Sequence, residues 1–73
     1  MSTKLDLHGV KHIDVQRKVD QFLGEHLQKR TNEVTIIIGN SDHMKRIVDT
    51  ILEDYGLISE PSFLSNAVLN IKL

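Results

Sequence analysis

The stretch "EVTIIIG", residues 33–39, constrains the fold of this chain more than any other feature. Val34, Thr35, Ile36, Ile37 and Ile38 are all β-branched, and β-branched side chains are stiff at χ1 and pack well on a pleated surface. The run is almost wholly apolar, as expected of a strand in the middle of a sheet. Val34, Ile36 and Ile38 face one side, with Glu33, Thr35 and Ile37 on the other. A helical pattern flanks it on each side. From about His12 to Lys29, the residues Val15, Val19, Phe22, Leu23 and Leu27 recur at three- and four-residue steps and form one apolar stripe. His26 lies near that stripe and reads as a packing residue. From Asp42 to Tyr55, a second stripe runs through Met44, Ile47, Val48, Ile51, Leu52 and Tyr55.

The remaining segments complete an order. In "KLDLHG" (4–9), Leu5 and Leu7 alternate with Lys4, Asp6 and His8, a strand with one covered face that Gly9 ends. Ser41 is placed to cap the second helix, Asp42 suits its first turn, and Gly56 suits the position just past its end. Leu57 to Ser59 begins a third strand, which Pro61 confines to an edge or breaks. In "NAVLNIKL" (66–73), Ala67, Leu69, Ile71 and Leu73 alternate with Val68, Asn70 and Lys72. The order is β-α-β-α-β-β, and a β-α-β crossover implies parallel strands. Every strand but the second has one polar face. The expectation is an α/β (α+β) two-layer sandwich in one domain, 1–73: a mixed four-stranded sheet, two helices on one face, the other face open.

Composition narrows the possible roles. A chain of 73 residues buries roughly 60% of its unfolded surface. With no cysteine it has neither disulfide nor thiolate metal site to staple it. Nine basic residues against ten acidic ones leave a net charge of -1. That balance argues against strong nonspecific nucleic-acid binding but allows a local basic patch. No apolar signal segment follows Met1, and no apolar run approaches a membrane span, so a soluble cytoplasmic protein is expected.

The loops after parallel strands are the usual ligand site in such a sheet. If the first two strands are neighbours, "HGVKHID" and "GNSDHMK" converge and gather His8, Gly9, Lys11, His12, Gly39, Asn40, Ser41, Asp42, His43, Lys45 and Arg46 at two helix starts. Asp6 and His8, at i and i+2 of a strand, would share a face about 6.6 Å apart. The aspartate could orient the histidine, place a divalent cation or bond the N–H groups that follow; the histidine could act as acid or base. Plainer readings stand beside these. Asp6 and His8 could be solvated residues on an exposed face, and "GNSD" could be a helix cap and nothing more. A zinc site from His8, His12 and His43 matches no standard ligand spacing.

"LDLHG" (5–9) followed by an amphipathic helix resembles the small MutS-related (Smr) domain. The Ile38-Gly39-Asn40-Ser41 turn is similar to that family's second motif, a His/Thr-Gly-x-Gly turn. "MKRIV" (44–48) resembles its second-helix opening, and "NAVLNIKL" its closing strand. The compact form also resembles standalone Smr-like proteins encoded by some phages. The resemblance implies a sandwich like the C-terminal domain of a bacterial translation initiation factor, and binding of DNA or RNA. In several members it implies nicking or cleavage, sometimes with a divalent cation such as Mg²⁺ or Mn²⁺. It further implies a cleavage role for Asp6 and His8 and substrate contact at Gly9 and Gly39. The second glycine of the turn is Ser41 here, Ile38 precedes Gly39, Lys45 stands where arginine is usual, and "FLSN" (63–66) lacks the usual glycines. Three functions stay open: a nicking endonuclease, a non-catalytic nucleic-acid-binding module, and a protein-interaction domain using Thr35, Ile37, Val68 and Asn70 on the open sheet face.

Overall fold

The β-branched run forms a strand at the middle of the sheet. The computed structural model describes residues 3–61 and 67–73. Its elements are β1 (Lys4–Asp6), α1 (His12–Gln28), β2 (Glu33–Ile37), α2 (Asp42–Asp54), β3 (Ser59–Pro61) and β4 (Val68–Lys72). The sheet order is β1-β2-β4-β3. β1 runs parallel to β2, with Lys4, Leu5 and Asp6 opposite Thr35, Ile36 and Ile37. β4 runs antiparallel to both β2 and β3. This is the expected mixed α+β sandwich with both helices on one face. Residues 63–66, including the expected first residue of the closing strand, lie outside the described residues, as does Met1.

Alternation along β2 decides which face is covered. Val34, Ile36 and Ile38 are buried, as are Leu69 and Ile71 of β4 and Leu7 just after β1. They form one apolar cluster with Val15, Val19, Phe22 and Leu23 of α1 and Met44, Val48, Ile51 and Leu52 of α2. On the opposite face Thr35 and Ile37 are half-buried. There the Thr35 hydroxyl donates to Asn70 Oδ1 across the β2–β4 pair, at 3.1 Å. Pro61 sits in the edge strand β3, where a missing N–H costs no central ladder bond. No helix among the described residues is long and apolar enough to cross a membrane.

Two residues of the expected stripes leave the core. Leu27 is 42% exposed, and its neighbour His26 is buried instead, 4% exposed. His26 follows Phe22 by one helical turn and meets its ring edge-on, centroids 4.7 Å apart. Its Nδ1 pairs with the Thr31 hydroxyl at 2.9 Å, so the polar ring is accommodated in the apolar layer. Tyr55, expected in the α2 stripe, is 39% exposed. It is the C-cap of α2, and its hydroxyl donates to Asp20 Oδ1 of α1 at 2.9 Å. The ring thus ties the two helices at the surface, where its polar tip can be satisfied.

Candidate functional site

Parallel pairing of β1 and β2 brings their carboxyl ends to one edge. The Leu7 N–H donates to the Ile37 carbonyl at 2.8 Å, one step past the end of β1. The chain then curls. The Asp6 carboxylate accepts the His8 backbone N–H at 2.8 Å, and the Leu7 carbonyl accepts the Val10 N–H at 3.0 Å. Gly9 takes φ +79°, a conformation that L side chains adopt at a cost. β1 therefore stops at Asp6, and His8 lies in a turn. The expectation that Asp6 and His8 share a strand face is corrected: the aspartate reaches forward and braces the turn that carries the histidine.

The second loop meets the first. Gly39 has φ +70°, and a Cβ built on it would lie 3.4 Å from His8 Cδ2. The imidazole of the first loop is thus seated against the backbone of the second. Beyond it, His12 opens α1 and His43 lies in the first turn of α2. Their rings stack, with centroids 4.5 Å apart and planes inclined by 17°. Asp6, His8, Gly9, Lys11, His12, Asn40, His43, Lys45 and Arg46 are all exposed, and Gly39 and Ser41 half-buried. The two loops converge as the sequence suggested.

The two helix starts differ. Ser41 Oγ accepts the Met44 N–H at 3.1 Å, so α2 is capped by its own chain. A serine hydroxyl that accepts this bond keeps its proton for a second partner, so capping and donation are compatible. At α1 the N-cap is Lys11, which makes no side-chain cap bond. The cations at this edge are lightly held. Lys45 Nζ lies 3.9 Å from Asp49 Oδ2 one helical turn on, an exposed pair of small energetic weight.

The donor set does not form an all-protein cage for a divalent cation, although one or two carboxylates with substrate phosphate suffice for Mg²⁺. Among the described residues no group of three His, Cys, Asp or Glu side chains is placed to hold a metal ion. One Asp6 oxygen is engaged by the His8 N–H. Nitrogen lone pairs lie in the plane of an imidazole, so two nearly parallel stacked rings aim theirs side by side and not at a common point.

Two features of this edge were missed in the sequence. The pairing of His12 with His43 has no local signal, because it depends on how the helices pack. Ile13 is 87% exposed in the first turn of α1. Its signal is its absence from the Val15–Val19–Phe22 stripe.

A family model for the Smr domain matches residues 5–70, from the start of "LDLHG" into β4. No curated protein and no solved structure matches the chain significantly. With that match spanning nearly the whole sequence, the chain belongs to the Smr domain family.

Proposed function

We propose that this chain binds DNA or RNA at the edge formed by the Gly9 and Gly39 loops, and that His8 is the group that moves a proton in strand nicking. The observation that carries the reading is the seating of the His8 ring against Gly39, which makes one surface of two motif loops. Lys11, Lys45 and Arg46 supply exposed positive charge for a phosphate backbone, and Ser41 has a hydroxyl proton to give. Gly9 and Gly39, bare of side chains, let a backbone come close. Asn40, His12 and His43 line the same edge. An imidazole in reach of a scissile bond can serve as acid or base, and Asp6 positions it through the turn.

A second reading has its own support. The Asp6 Oδ1 accepts the His8 N–H and so has a structural part in the turn, as it would in a non-catalytic binding module. The test separates the two. Labelled single- and double-stranded DNA and RNA are incubated with the protein, with and without Mg²⁺ or Mn²⁺. Nicking that is lost in His8→Ala while binding persists supports the nuclease. Salt-sensitive binding without nicking, weakened in Lys45→Ala/Arg46→Ala, supports the module. Absence of binding to every substrate at low salt rejects both and turns attention to the Thr35–Ile37–Val68–Asn70 face.

A further inference from the structure

A nucleic acid offers two things to a protein surface: charged phosphates and flat bases. The cations at the loop edge address the phosphates. The stacked His12–His43 pair answers to the bases. Both residues are exposed, their planes are inclined by only 17°, and stacking on each other uses one face of each ring. Ile13, 87% exposed, follows His12 directly and puts an aliphatic side chain at the same helix start. A lone exposed apolar residue is ordinary. The stacked pair stands at two helix starts whose exposed charged residues include Lys11, Lys45 and Arg46, with Asp42 beside His43. Aromatic platforms beside positive charge are the recurring way of holding single strands.

We infer that the stacked His12 and His43 rings form a platform for an unpaired base, so that this site selects single-stranded or locally unpaired nucleic acid over an intact duplex. The inference rests on the nucleic-acid reading above and names its substrate class. In a continuous duplex both faces of each base are covered by neighbours, and only a splayed or flipped nucleotide can offer a face to a protein ring. The phosphates flanking that nucleotide then lie within the field of Lys45 and Arg46. Stacking does not discriminate among bases, so the platform selects strand state and not sequence.

The test measures binding by fluorescence anisotropy at fixed low salt. The probes are a mixed-sequence single strand, its duplex, and the same single strand carrying abasic positions. Wild type is expected to prefer the intact single strand over the other two by about fivefold or more, the lower range for loss of one base–ring contact. His12→Ala and His43→Ala should lose most of that preference, whereas His43→Phe, which keeps a flat ring but no ionisable group, should retain it. Lys45→Ala/Arg46→Ala should weaken all three probes together. Thermal melting checks that the variants fold. If an alanine variant does not fold, the abasic probe and His43→Phe decide the question. Equal binding of single strand and duplex by wild type, or equal loss of both in His43→Ala, overturns the platform and leaves the binding reading standing. A His43→Phe variant that behaves as His43→Ala also overturns it. No binding to any probe removes the nucleic-acid reading itself, and this inference with it.

Discussion

Asp6 shows how one side chain can have two roles that a single substitution confounds. Its carboxylate accepts the His8 N–H, so removing it disturbs the turn as well as any chemistry. Asparagine keeps the accepting oxygen and drops the charge. Asp6→Asn should therefore melt close to wild type, while Asp6→Ala should lose about 1 kcal/mol, the usual worth of such a bond. Urea titration of the two variants checks this. Equal stability of Asp6→Ala and wild type would mean the brace contributes nothing. If Asp6→Asn folds normally yet nicking is lost, the charge itself is needed. Gly39 is the other position where one residue matters. Its φ of +70° belongs to the region glycine occupies freely. A side chain there would also press toward the His8 ring.

The helices end alike but with different residues. After α1, the Thr31 N–H donates to the His26 carbonyl and the Arg30 N–H to the Leu27 carbonyl. After α2, the Leu57 N–H donates to the Leu52 carbonyl and the Gly56 N–H to the Glu53 carbonyl. Both are the Schellman arrangement, which needs a left-handed residue just past the cap. Glycine fills that place in α2, with φ +72°, and arginine fills it in α1, with φ +58°. Left-handed backbone costs a non-glycine residue about 1–2 kcal/mol. Gly56→Ala should thus destabilise the protein by about 1 kcal/mol or more. Arg30→Gly should stabilise it by up to about 1 kcal/mol, after the extra chain entropy of glycine is set against the relief. Opposite shifts of the melting temperature in the two variants are the measurement.

At the scale of the whole molecule, surface ties and net charge set the response to conditions. Hydrogen bonding to Asp20 raises the Tyr55 phenol above its ordinary value, with burial and the Asp20 charge adding to it. The folded state therefore favours the protonated phenol. Its contribution is fully present below the unfolded value, about 10, and is lost as pH rises through the folded one. Wild type should be more stable than Tyr55→Phe near neutral pH, and the gap should close above about pH 10; urea melts at both conditions test it. The proposed binding edge carries three exposed cations, Lys11, Lys45 and Arg46, in a chain of net charge -1. Counterion release then predicts a shallow salt dependence, a slope of log K against log salt of about -2 to -3. Lys45→Ala/Arg46→Ala should flatten it by about 1.5–2. A steep slope in wild type would place the contact on another surface.

Much of the architecture was legible from local pattern. Period-two alternation in β1 and β4, the β-branched run of β2, the helical stripes, the Ser41 cap and Gly56 all report on their own few residues, and the structure bears them out. The same local rules misplace Leu27 and Tyr55, which stand at the last turns of their helices, because an apolar stripe does not say where along a helix burial stops. The parallel sense of β1 and β2 followed from the β-α-β connection and the one-sided placement of the helices from the polar faces of the strands, whereas the order β1-β2-β4-β3 came only with the structure. So did most of the geometry of the site. The bond from the His8 N–H to Asp6 was among the readings of the sequence, but that the His8 ring lies by Gly39 and that His12 stacks on His43 are contacts between residues far apart in sequence. Sequence by itself determined which residues stand at the carboxyl ends of β1 and β2. Only tertiary structure decided which of them touch, because the relative positions of two packed helices depend on the whole core and on no single segment.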